Sequence, residues 1–130
     1  MENLYIKGEE TNYYIPTVDF NYETGICTIS GKSYLEDTTI FYLGLLEWLD
    51  QYFDEVDKPI EFNVRLSYYN TSSSRSILDI FDILKIYEDN GGTVKVNWYC
   101  REIDFEVIKE EVDDYMEESD LKINVIIFEE

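Results

Sequence analysis

The chain has 130 residues, 45% of them hydrophobic and 16% aromatic, with 10 basic side chains against 29 acidic ones and a formal net charge of −19. That length suits one domain with a real core, and the aromatic content argues against disorder despite the charge. So acidic a surface repels phosphate backbones and anionic lipid, which argues against nucleic acid or membrane as a direct partner and for a partner with a basic face, unless the acidity only maintains solubility.

The first residues are neither basic nor a long apolar run, and no apolar stretch approaches the length needed to cross a bilayer. The expected location is therefore cytoplasmic. Cys27 and Cys100 lie far apart in strand-like segments and read as reduced thiols of the core, unpaired with each other.

In chain order, residues 4–6 and 13–20 are short strand candidates. Asn21-Tyr22-Glu23-Thr24-Gly25 is a turn, with Gly25 free to take positive φ, so residues 17–20 and 26–30 read as a hairpin that Gly31-Lys32-Ser33 then breaks. From residue 38 to 53 the period becomes helical, with Phe41, Leu45, Trp48, Leu49, Tyr52 and Phe53 on one face. Asp37 or Thr38 is placed to cap that helix, and Gly44 within it points to a close approach to the sheet. Ile60, Phe62, Val64, Leu66 and Tyr68 then alternate with polar or exposed-type residues, the clearest period-two pattern in the chain. A second helix carries Ile77, Ile80, Phe81, Leu84 and Tyr87 inward and stops at Asn90-Gly91-Gly92. Residues 93–100 form a strand with Val94, Val96 and Trp98 facing one way. A third helix, about 105–118, buries Phe105, Ile108, Val112, Tyr115 and Met116, and residues 121–128 close the chain as a strand whose Ile123 and Val125 face the core. The order β-β-β-α-β-α-β-α-β predicts a single α/β domain over residues 1–130: a mixed sheet with an N-terminal hairpin and three packed helices.

Catalytic chemistry is thinly supplied. Histidine is absent, no cysteine pair has zinc spacing, and Gly31-Lys32-Ser33 lacks the upstream glycine of a phosphate-binding loop. The acidic pairs Glu110-Glu111, Asp113-Asp114 and Glu117-Glu118 fall mainly on the outer face of a helix, where solvated charge is usual. No cofactor or metal is expected, and the reading is of a non-enzyme.

What stands out is Tyr69-Asn70-Thr71-Ser72-Ser73-Ser74-Arg75, four consecutive hydroxyls between the alternating strand and the second helix. Serine and threonine are preferred helix caps, so Thr71 to Ser74 can be structural only, in a constitutive protein-binding module. Alternatively one of them accepts a phosphate that the positive helix end stabilises. The run holds more hydroxyls than capping needs, and Arg75 in the first helical turn opposes the dipole unless an anion joins it.

Glu2-Asn3-Leu4-Tyr5-Ile6, Ile29-Ser30-Gly31-Lys32-Ser33-Tyr34, the block from Tyr69 to Arg75 with Leu78-Asp79-Ile80-Phe81, and Val96-Asn97-Trp98-Tyr99 together resemble the SiaC family of bacterial regulatory phosphoproteins. The resemblance spans nearly the whole chain, and the Asn-Thr-Ser-Ser block before Asp-Ile-Phe is its most specific part. A usual proline after Ser-Tyr is Leu35 here, in the approach to the first helix. The resemblance implies a STAS-like fold, similar to anti-sigma-factor antagonists. It implies a threonine, here Thr71, phosphorylated by a partner kinase and dephosphorylated by a metal-dependent serine/threonine phosphatase, with Asn70, Ser72, Ser73 and Arg75 around it. It also implies that the unphosphorylated form binds and activates a diguanylate cyclase, tying the switch to cyclic-di-GMP and biofilm formation.

Overall fold

The computed structural model describes residues 1–10, 14–35 and 37–129. Along them run β1 (Leu4–Ile6), β2 (Glu9–Glu10), β3 (Tyr14–Ile15), β4 (Thr17–Asn21), β5 (Ile26–Ser33), α1 (Thr38–Glu55), β6 (Ile60–Tyr69), α2 (Thr71–Asp89), β7 (Val94–Arg101), a 3-10 turn (Glu102–Asp104), α3 (Phe105–Ser119) and β8 (Asn124–Phe128). Six strands make one mixed sheet in the order β1-β4-β5-β6-β7-β8. Pairing is antiparallel from β1 to β5 and parallel from β5 to β8, and β2 and β3 form a small separate antiparallel sheet. This is the mixed sheet, with its N-terminal hairpin and three helices, that the periodicities predict.

The topology places the helices. β5, β6 and β7 are each followed by a helix and then by the neighbouring parallel strand, always stepping the same way along the sheet. Right-handed crossovers repeated in one direction bring all three helices to one face, and α1 packs beside α2, and α2 beside α3. The inward residues of the alternating strands, among them Val18, Phe20, Cys27, Ile29, Phe62, Val64, Val96 and Trp98, are buried. Phe81 of α2 is 0% exposed and meets Phe62, Trp98 and Tyr115 edge-on. Cys27 and Cys100 are buried free thiols.

Several expectations need correcting. In α1, Tyr42 is buried while Phe41 and Phe53 are only half-buried; an inward helical stripe is broad, and the sequence gives no reason to rank adjacent aromatics. Gly44 approaches nothing: a Cβ there would find open space. Phe105, Ile108 and Met116 of α3, and Val94 and Val125 of the strands, are half-buried, because they lie at the margins of the layer. β8 starts at Asn124, with Leu121 and Ile123 buried in the loop before it. The expected strand over residues 13–20 is divided at Pro16 between two sheets, and its first residue lies outside the described residues.

The correction that matters most concerns Gly31-Lys32-Ser33. These residues do not end the strand. β5 runs on through a register shift between Gly31 and Lys32, with Gly31 at φ +92°. Ser67 is skipped in the pairing, so Lys32 comes level with Tyr68 and Ser33 with Tyr69. Bulges re-aim side chains in this way, and here the residues re-aimed stand beside the start of α2. Gly25 has a different task. At φ +74° it closes the hairpin turn, and a Cβ would lie 2.4 Å from the carbonyl oxygen of Pro59.

Candidate functional site

β6 delivers the chain to the helix face at Tyr69, and Asn70 turns it into α2. Asn70 is extended, and its side-chain oxygen accepts the Ser73 N–H at 2.9 Å. Its own N–H donates to the Ser33 carbonyl at 3.1 Å, and its carbonyl accepts the Ser74 N–H at 2.9 Å. Asn70 is thus the N-cap, and the hydroxyl run is the first turn of the helix, not a set of caps leading into it.

The four hydroxyls divide sharply. Ser73 is buried; its Oγ lies 2.7 Å from Ser33 Oγ and 3.1 Å from the Ser33 carbonyl. Ser33 Oγ in turn lies 2.7 Å from the Tyr42 hydroxyl, so a buried chain of hydroxyls ties α1, β5 and α2 together. Ser74 Oγ meets the Tyr115 hydroxyl of α3 at 2.6 Å. Thr71 and Ser72 are exposed, and among the described residues no side-chain hydrogen bond engages them. Thr71 is the first helical residue, where backbone N–H groups have no partner within the helix.

Thr71 and Arg75 border two grooves. One, of about 370 Å³, lies toward α3 and is lined by Ser74, Tyr115, Glu111, Asp114 and Glu118. The other, of about 490 Å³, lies toward α1 and is lined by Leu43, Leu46, Ser72, Ser76 and Asp79. On the α1 side of that groove, Leu43 is 49% exposed. Arg75 is exposed, stands one turn on from Thr71 and not in the first turn as expected, and has no carboxylate within ion-pair distance among the described residues.

The supporting hydroxyls do not titrate near neutrality. Burial pushes Tyr42 up to about 12, against the opposing pull of its bonds to Ser33 and Ser73. Burial also raises Tyr115, and raises Tyr69 far more, with its hydrogen bond to the Glu111 carboxylate adding to the effect. These groups remain neutral donors that hold α2 in place. Among the described residues no three metal-ligating side chains come together, and no helix is long and apolar enough to cross a membrane.

The structure therefore brings Asn70, Thr71, Ser72, Ser73 and Arg75 to one helix start but gives them different tasks. The sequence reading missed Ser33, Tyr42 and Tyr115, which immobilise that start. Ser33 was hidden by a glycine taken for a strand breaker, and the tyrosines by an ordinary apolar stripe.

Known proteins share the fold that carries this helix start. A 27% identical relative, over 99 residues covering 76% of each chain, is an uncharacterized protein of Pseudomonas aeruginosa strain UCBPP-PA14. The structure of apo-SiaC from Pseudomonas aeruginosa superposes with a TM-score of 0.86 at 23% identity, covering 97% of this chain and 99% of that one. SiaC bound to the diguanylate cyclase SiaD, which it activates, matches with a TM-score of 0.87 at 23% identity over 96% and 99% of the two chains. At such identities these structures establish the shared fold. Residues 7–128 match the model of the SiaC family regulatory phosphoproteins, and the chain belongs to that family.

Proposed function

We propose that this protein is a phosphorylation-switched adaptor whose phosphoacceptor is Thr71. One observation carries the reading: at the start of α2 Asn70 supplies the cap and Ser73 and Ser74 are engaged in tertiary bonds, which leaves the hydroxyls of Thr71 and Ser72 exposed and unengaged, and of these Thr71 is the first helical residue and lines, with Arg75, both grooves. A phosphate there would bring about −1.5 to −2 charges to free backbone N–H groups and a guanidinium. The helix end contributes about 0.3–1 kcal/mol to holding it, too little to remodel the fold. A partner lying over the same helix start would feel far more, since a doubly charged group would be desolvated at the contact.

The unmodified form is the one that binds the effector. The SiaC–SiaD structure supports a diguanylate cyclase as that effector; the family resemblance alone supplies a partner kinase that adds the phosphate and a metal-dependent phosphatase that removes it. Leu43 and Leu46, which line the groove with Thr71, supply apolar area for such a contact. The test compares Thr71→Ala with Thr71→Asp for folding, for phosphate incorporation by the cognate kinase and for effector binding. Ala should keep effector binding and lose phosphorylation. Asp should fold normally and bind the effector at least about tenfold more weakly, a change of about 1.4 kcal/mol. Wild-type binding by both variants, with phosphate still entering the Ala variant, would remove the switch from Thr71.

A further inference from the structure

We propose that a second site, at the carboxyl ends of the parallel strands, binds a small nucleotide-class ligand, a planar ring carrying a phosphate, independently of Thr71. The cavity there is about 620 Å³, within the range that holds small ligands.

Its charge runs against the rest of the molecule. Three of the ten basic residues line it: Lys32 from β5, Arg65 from β6 and Arg101 from the end of β7. Arg101 is answered by Asp104 at 3.0 Å. Lys32 and Arg65 have no carboxylate within ion-pair distance among the described residues, in a chain where acids outnumber bases 29 to 10. The fifth charged group of the lining, Glu111, accepts the Tyr69 hydroxyl.

Aromatic rings hold these cations in position. The Arg65 guanidinium carbon lies 3.9 Å from the Tyr99 ring centroid and 5.9 Å from that of Phe128. Stacking of this kind fixes the guanidinium plane while its N–H edge remains able to grip a phosphate through two parallel bonds. Lys32 lies 5.2 Å from the Tyr14 ring centroid, and the bulge at Gly31 brings it level with Tyr68. Tyr68, 47% exposed and also part of the lining, offers a face on which a planar ring can stack.

The net charge of −19 does not forbid this ligand. Salt screens exposed charges beyond about 8 Å, so one phosphate responds chiefly to the cations beside it. A polynucleotide would have to continue across the acidic surface, which is why the site suits a single nucleotide.

The experiment titrates the intact protein with AMP, with adenosine and with inorganic phosphate, following amide resonances. AMP should bind with Kd below about 1 mM, and adenosine and phosphate at least about tenfold more weakly, shifting amides of residues 65–69 and 99–101. Arg65→Ala, checked for an unchanged fold by circular dichroism, should weaken AMP about tenfold or more. Arg65→Lys should recover part of that loss, and Thr71→Ala should bind AMP as wild type does. No response to AMP would overturn the proposal. So would equal binding of AMP and phosphate, undiminished binding by Arg65→Ala, or a response to an oligoglutamate peptide but not to AMP.

Discussion

The starts of α2 and α3 belong to the same chain, rich in acidic residues, yet they are built oppositely. α3 is approached through Glu102 and Asp104 and carries Glu106 in its first turn, with no side-chain cap. Acids there complement the dipole, the usual arrangement. α1 likewise opens on an acid, since Asp37 caps it through the Thr39 N–H. α2 has a neutral cap, Asn70, no acid in its first turn, and one turn further on an arginine without an ion-pair partner among the described residues. A carboxylate at that helix start would stabilise the resting protein and repel an incoming phosphate. The difference is that the starts of α1 and α3 already carry acids and the start of α2 carries none, as the proposed phosphorylation of Thr71 requires.

The largest expected effect separates the body of α2 from its start. Phe81→Ala removes a ring packed among Phe62, Trp98 and Tyr115 and should cost about 3–5 kcal/mol in denaturant unfolding. Val107→Ala on the exposed side of α3 should stay within about 0.5 kcal/mol. A small loss at Phe81 would break the assignment of α2 as the central helix of the layer.

The buried hydroxyl chain under the α2 start gives a pH dependence. Folding raises Tyr42 from its ordinary value of 10.0 to about 12, so the folded state holds the proton more tightly than the unfolded state. Its contribution to stability is complete below pH 10 and is lost as pH rises toward 12. Thermal unfolding followed from pH 8 upward should show stability falling through that window, and Tyr42→Phe should flatten the fall. An identical slope in the variant would detach Tyr42 from the effect.

Smaller changes address the helix starts directly. Asn70→Ala should cost about 0.5–2 kcal/mol, because the Ser73 N–H loses its acceptor, whereas Ser72→Ala should stay within about 0.5 kcal/mol. Equal effects would mean that the cap is shared with the hydroxyl run. Arg75→Glu removes a cation that shares both grooves with Thr71 and places an acid beyond the first turn, one turn before Asp79. The dipole gain there is offset by that like charge, so stability should stay within about 0.5 kcal/mol while the variant becomes a poorer phosphoacceptor; unchanged phosphorylation would contradict the comparison.

Much of this architecture could be read from the residues. The period-two runs of β6 and β7 and the helical stripes through Phe81 and Val112 mark elements whose faces are buried on one side only, and that one-sidedness is visible as periodicity. The strand continuing through Gly31 was not legible, because a glycine that ends a strand and one that bulges it look alike until the partner strand's register is known. The tasks of the four hydroxyls were equally hidden. Whether Ser73 or Thr71 is buried depends on where Asn70 begins the helix, and on Ser33 and Tyr115 arriving from remote parts of the chain. The Lys32–Arg65 pocket has the same origin, since its two cations are far apart in sequence and meet only across the β5–β6 pair.

The central claim is that Thr71, one of the two hydroxyls of the run left free, takes a phosphate while Ser73 and Ser74 hold the helix. Peptide mapping by mass spectrometry, on protein isolated from its own cells, tests it most directly. The account predicts a single phosphate within residues 69–75, located by fragmentation on Thr71, with Ser72, Ser73 and Ser74 unmodified. Phosphate on Ser72, Ser73 or Ser74 with Thr71 bare, or none on this segment under conditions where the cognate kinase is active, would contradict it.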